Sequence, residues 1–266
     1  MEFSVPRGAG AALLLILGYS GPALAQRGPA PTAIAAGLAI PVGPPAEYRP
    51  AIPAGGRFVL VDAASARLFM IENGDVVDSM RVIVGKPEAA TPVLRSTLHY
   101  ATLNPYWNVP PDLASRIIAP RVLKEGPGYL SQRGYQVVSA FTGDPGVLDP
   151  ADVDWDAVAA GRARVYVRQL PGPANSMGQI KFGFANDDGI FLHDTPRKEL
   201  FNEAERNLSN GCVRLEDANR FARWLLGRDA NVPGQEAEQH VPLPRPVPIM
   251  IAYLEDGASL ELAAAN

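Results

Sequence analysis

The stretch from Arg57 to Gly85 alternates short apolar runs with turn residues, and this punctuation restricts the fold more than any other feature of the 266-residue chain. "RFVLVD" is followed by "RLFMIENGDVVDSMRVIVG", in which two apolar-rich runs flank Asn73-Gly74, a dipeptide whose tolerance of positive φ suits a type I′ hairpin turn. An antiparallel strand pair follows. Further strands are expected at "STLHYATLN", "RVYVRQ" and "GIFLHD", and "VPIMIAYLEDGASLEL" reads as a closing hairpin turned at Asp256-Gly257. Helical signals are fewer. Ala218, Phe221, Ala222, Leu225 and Leu226 recur at the spacing of one helix face, with Gly227 placed to stop the helix. The expected fold class is mainly β with a few helices.

Arg7 precedes "GAGAALLLILGYSGPALA", an uncharged apolar stretch ending in the small-x-small pattern Ala23-Leu24-Ala25. Residues 1–25 are therefore expected to be a cleavable signal peptide, leaving an exported protein with no stable membrane insertion. Residues 26–56 are rich in Pro, Ala and Gly and read as a linker, ahead of a single domain over residues 57–262. A net charge of −4 with scattered Lys and Arg gives no basic patch, which argues against a nucleic-acid partner. Between about residues 105 and 161, "PPDLASRIIAPRVLKEGPGYLSQRGYQVV" and "LDPADVDWDAVAAG" mix helical stretches with Pro and Gly breaks. By composition this segment reads equally as structural filler or as a lid over a site.

Cys212 is the sole cysteine, so no disulfide within the chain is possible. It is either a small buried apolar side chain or a nucleophile. One His and one Cys fall short of a metal ligand set, and no metal or cofactor is expected. A nucleophilic thiol needs a base, and three histidines are candidates. His240 lies in the Pro-rich "EQHVPLPRP" and reads as a solvated loop residue; His99 alternates with Leu98 in a strand and reads as a packing or surface residue. His193 ends an apolar strand where scaffold gives way to loop, a placement equally suited to catalysis and to packing. Around the cysteine, Gly211 allows close approach of a carbonyl, and the N–H groups of Gly211 and Cys212 can form an oxyanion hole. Ser209 offers a hydroxyl in the same turn. Arg214, two residues on in extended chain, shares a face with Cys212 and can hold a carboxylate or a structural acid.

"H-D-T-P", followed nineteen positions after His193 by the cysteine of "S-N-G-C-V-R", resembles the catalytic signature of the L,D-transpeptidases of the YkuD fold. "VGKPEAATP", "NPYWNVPP" and "LFNEAERNLSNGCVRLEDA" extend the likeness to the subgroup with a capping insert, over roughly residues 57–255. The resemblance implies a mixed β-sandwich carrying a helical and loop cap at about residues 105–161, with Trp107, Tyr129 and Trp155 over a peptide or in the cap's own core. It implies that Cys212 attacks the carbonyl of an L-configured residue in a peptidoglycan stem peptide, that His193 accepts and returns the proton, and that Ser209, Asn210, Gly211, Arg214 and Asp194 line the site. The implied product is a cross-link, 3-3 or 1-3, made in the periplasm by an enzyme that carbapenems target; hydrolysis of the same stems is the alternative, and a non-catalytic wall-binding protein a more distant one. Phe191 stands where the family often has tyrosine, and Asn210 where other branches have histidine or arginine. The group that orients His193 is left open between the Asp194 backbone and Ser209.

Overall fold

The computed structural model describes residues 52–230 and 236–254. The expected signal peptide, most of the linker and the turn at Asp256-Gly257 lie outside the described residues.

The first strands follow the sequence pattern. β1 (Arg57–Asp62) pairs antiparallel with β2 (Arg67–Glu72), and β2 pairs antiparallel with β3 (Asp75–Gly85). Asn73 and Gly74 turn this second pair with φ of 54° and 97°, the positive values that the dipeptide was expected to supply. β4 (Leu94–Leu103), β9 (Ile180–Phe184), β10 (Leu192–His193), β11 (Asn207–Ser209), β12 (Val213–Leu215) and β13 (Gln239–Ala252) complete a nine-stranded mixed sheet in the order β11-β3-β12-β10-β9-β4-β13-β1-β2. Because β2 also pairs with β3, the sheet closes on itself. Alternate residues of its strands, Val59, Val61, Leu68, Met70, Val82, Phe182, Leu192, Val213 and Leu215 among them, meet in one buried core. Val59, Leu68, Met70, Phe182, Leu192, Val213 and Leu215 are fully excluded from solvent, and each contributes about 1.5–3 kcal/mol of apolar transfer free energy.

One helix of two to three turns seals that core. α5 (Ala218–Leu226) starts at Asp217, whose carboxylate accepts from the Arg220 N–H at 2.9 Å, and it ends at Gly227 with φ of 70°. The predicted apolar face is the buried one: Ala218, Phe221, Ala222, Leu225 and Leu226 join the core, with Phe221 edge-on to Phe182 at 4.8 Å between centroids.

β13 departs from the sequence reading. Its Pro-rich first half, expected to be a loop, pairs with β4 from Gln239 to Pro242 and again from Val247 to Ile251, with a bulge between. Its pairing with β1 begins only at Ile249. The prolines at 242, 244, 246 and 248 therefore occupy an edge segment and a bulge, where a missing N–H costs no ladder bond. His240 is accordingly a strand residue, its Nδ1 3.1 Å from the Thr102 hydroxyl and its ring edge-on to Tyr100.

Residues 107–169 form a second sheet with a core of its own. β5 (Trp107–Val109), β6 (Tyr135–Val138), β7 (Val147–Leu148) and β8 (Tyr166–Gln169) pair antiparallel in the order β5-β8-β6-β7. The helical stretches are α1 (Pro111–Leu113), running through a π turn into α2 (Ala119–Glu125), then α3 (Gly128–Gln132) and α4 (Trp155–Ala159). Val109, Ile118, Val122, Leu130, Val137, Trp155, Val158 and Val167 form the local core. The segment was expected to be helices and loops ending near residue 161; it also carries a sheet, whose strand β8 brings the chain back at Gln169. The neck is laced by Asn175, 1% exposed. Its amide donates to the carbonyls of Pro105, Gln169 and Leu170, and its side-chain oxygen accepts from Met177 N–H at 2.7 Å.

Candidate active site

The site grows out of two short parallel strands. β10 and β12 pair in the register Leu192↔Val213 and His193↔Arg214. Side chains alternate across a sheet, so Leu192, Val213 and Leu215 point into the core while Phe191, His193, Cys212 and Arg214 share the opposite face. All four of these line a cleft of 290 Å³. Trp107, Asn108, Pro110, Asp112 and Leu113 from the second sheet's side, Ser176 and Met177 from the neck, and the loop Asp188–Ile190 form its other walls. Tyr129 and Trp155 belong instead to the core of the 107–169 segment.

His193 is 5% exposed. Its Nδ1–H donates to the Asp194 carbonyl at 2.5 Å, which fixes the tautomer and leaves the Nε2 lone pair as the proton acceptor. The orienting group is thus the Asp194 backbone, because Ser209 is engaged elsewhere. Burial, then the charge of Arg214, pushes the imidazole pKa down to about 4, against a smaller opposing pull from the Asp194 carbonyl. Cys212 is half-buried, and its thiol points at the Gly189 carbonyl 3.8 Å away. Burial raises the thiol pKa; the Phe191 N–H and Arg214 offset part of that rise. Both shifts favour the neutral forms, so the cleft at rest holds a neutral thiol and a neutral imidazole.

Arg214 is the half-buried cation of the cleft. Among the described residues its guanidinium has no hydrogen bond and no ion pair, while burial and the nearby Arg197 lower its pKa. A partly desolvated cation without a counter-ion is a ready site for a carboxylate.

The Cys212 loop is pinned from below. Ser209, 2% exposed, accepts from the Gly211 N–H at 3.0 Å and donates to the Cys212 carbonyl at 2.6 Å. This overturns one expectation: the Gly211 N–H is consumed inside the loop and is not free for an oxyanion. The Cys212 N–H makes no hydrogen bond among the described residues. Gly211 itself has φ of 117°, and a Cβ there would stand 3.2 Å from Ile190 Cδ1, so the loop needs glycine at this position. Asn210 is exposed on the cleft rim. Asp194 does not line the cleft with its side chain, which accepts from the Gln179 N–H at 2.9 Å and the Lys198 ammonium at 2.7 Å. Its part in the site is its carbonyl. Phe191 lies under the Lys181 ammonium at 5.3 Å. Thr91 and Asn175 were missed from sequence, since a buried hydroxyl or amide in a loop leaves no periodic trace.

Residues 56–249 match the model of the YkuD family, the L,D-transpeptidase catalytic domain. A Haemophilus influenzae protein named "Putative L,D-transpeptidase" is 36% identical over 168 residues, which is 63% of this chain and 33% of that protein. Solved structures similar to this chain include an L,D-transpeptidase from Mycobacterium smegmatis, 14% identical with a TM-score of 0.33 over 73% of this chain and 58% of the other. Another is an L,D-transpeptidase solved in complex with imipenem, 13% identical with a TM-score of 0.34 over the same shares. The matched region thus spans about a third of the Haemophilus protein and little more than half of the two solved chains.

Proposed function

The chain belongs to the L,D-transpeptidase catalytic-domain family, and we propose that it is a cysteine acyltransferase acting on peptidoglycan stem peptides. The observation that carries this reading is the unpaired Arg214 on the same face as Cys212 and His193, at the floor of one cleft. A nucleophile, a neutral base and an anion site in that arrangement suit a peptide that presents a carboxylate near its scissile bond.

In the acylation step the Cys212 sulfur attacks the carbonyl carbon as its proton passes to His193 Nε2. The C–N bond breaks, the proton goes to the departing amine of the terminal D-amino acid, and a thioester remains. An amine of a neighbouring stem then attacks the thioester and gives its proton to His193; the C–S bond breaks, the departing sulfur takes that proton, and an amide joins the two stems. Arg214 holds the substrate carboxylate, and the Cys212 N–H donates to the oxyanion in both steps. The apolar N-terminal stretch with its Ala-x-Ala end supports a periplasmic setting for this chemistry. We take 3-3 links as the main product, with 1-3 links open to the same machinery.

The test is mass spectrometry of muropeptides from cells producing the intact protein or Cys212→Ala. Dimers dependent on Cys212 support the reading, and their fragmentation separates 3-3 from 1-3. Shortened stems without dimers make the protein a hydrolase, and identical profiles remove the catalytic reading.

A further inference from the structure

Thr91 has no place in the chemistry above, yet its side chain is wired into the cysteine loop. It is 1% exposed and sits just after the 3₁₀ turn Pro87–Ala89 that follows β3. Its Oγ1 is 2.8 Å from the Gly85 nitrogen and 2.8 Å from the Gly211 carbonyl oxygen, and its own carbonyl accepts from the Tyr253 hydroxyl at 2.9 Å. The roles of the hydroxyl are forced. The Gly85 N–H can only donate, so Oγ1 accepts from it; the Gly211 carbonyl can only accept, so the hydroxyl proton points there.

A trans peptide directs its C=O and N–H to opposite sides. Gly211 and Cys212 share one peptide unit, whose carbonyl is drawn toward Thr91, and Thr91 does not line the cleft. The Cys212 N–H therefore faces the other way. Ser209 blocks rotation of the preceding unit by holding the Gly211 N–H. Gly85 makes the close approach possible, since a Cβ there would stand 2.6 Å from the Thr91 nitrogen and closer still to the Ala89 carbonyl.

We propose that Thr91 is a positioning residue for acyl transfer: its hydroxyl holds the Gly211–Cys212 peptide so that the Cys212 N–H is aimed at the developing oxyanion. This rests on the reading of Cys212 as a nucleophile that becomes acylated. It predicts a specific division of effects. Acylation of Cys212 builds negative charge on a carbonyl oxygen and needs the aimed N–H, whereas alkylation by iodoacetamide displaces iodide at a saturated carbon and builds none.

The experiment measures both reactions on the full chain, with imipenem as the acyl donor followed by intact-protein mass, and with iodoacetamide as the alkylating agent. Thr91→Val removes the hydroxyl at nearly constant shape and Thr91→Ser keeps it; Thr91→Ala, smaller and unable to clash, is made alongside so that a misfolded valine variant does not decide the matter. The expected result is that valine and alanine slow acylation about 10- to 100-fold, less than outright loss of an oxyanion donor, with alkylation within about twofold of wild type and serine restoring acylation. Acylation of the valine and alanine variants at the wild-type rate overturns the proposal. A parallel fall in alkylation overturns it too, because Thr91 then supports the loop as a whole. If the intact wild-type protein takes up no acyl group while iodoacetamide still labels Cys212, the acyltransferase reading fails and this inference falls with it.

Discussion

Protonating His193 should cost the fold a calculable amount, because the folded state holds its imidazole neutral well below the ordinary range. The side chain is 5% exposed and its pKa is pushed down to about 4, first by burial and then by Arg214. In the unfolded chain it titrates near about 6.5. Above that value both states are neutral and the residue adds no pH dependence. As pH falls below it, the unfolded state binds a proton that the folded state refuses, so stability drops by up to about 1.4 kcal/mol per pH unit and levels off below about pH 4. By pH 4.5 most of the loss from this residue, whose limit is about 3 kcal/mol, has already occurred. Urea denaturation of wild type and His193→Asn at pH 7.5 and 4.5 isolates this share from that of the carboxylates, since asparagine can keep a donor toward the Asp194 carbonyl without titrating. The wild type should lose about 2 to 3 kcal/mol more than the variant over that interval. Equal losses, or an imidazole that titrates at 6 or above by NMR, would refute the buried neutral base.

The pH profile of Cys212 alkylation should have its midpoint above the ordinary thiol range, because burial opposes the thiolate, and Arg214→Ala should move it higher still by removing one of the groups that lower it. A midpoint below that range would require an ion pair that burial of both groups argues against. Gly85→Ala should destabilise by about 3 kcal/mol, since the new Cβ meets backbone atoms of residues 89–91; thermal unfolding would then fall by roughly 10 °C, and an unchanged midpoint would contradict the close approach. Asn175→Ala removes four hydrogen bonds to buried backbone at the neck and should cost about 3 kcal/mol. Hydrogen exchange should speed up around residues 105–108 and 169–177 and leave α5 protected; uniform exchange across the domain would count against a local clasp.

Local signals in the sequence carried the parts of the fold whose physics is local. The Asn73-Gly74 turn and α5, with Asp217 before it and Gly227 after it, are set by neighbours a few residues apart. The Pro-rich start of β13 misled for the same reason: prolines at 242, 244 and 246 forbid a central strand, and only the tertiary arrangement shows that β1 does not flank them. Of the second sheet only β8, within "RVYVRQ", was legible; its pairing was not, because β5 and β8 are more than fifty residues apart and β7 has two residues, too few to alternate.

The site divides along the same line. That Cys212 and Arg214 share a face follows from a two-residue spacing, but the pairing of His193 with Arg214 joins strands twenty-one residues apart and is visible only in the folded chain. Which amide is free to stabilise an oxyanion was misjudged from sequence for a related reason. Gly211 and Cys212 look equivalent as donors until the Ser209 hydroxyl is seen to take one of them. Two hydroxyls, one six residues past the end of β3 and one three residues before the cysteine, thus divide the loop's backbone between them: Ser209 uses the Gly211 N–H and the Cys212 carbonyl, and Thr91 uses the Gly211 carbonyl. The Cys212 N–H is what they leave over. An oxyanion donor here is defined by subtraction, which is why substitutions at Thr91 and Ser209, neither of which needs to touch substrate, should alter acyl transfer.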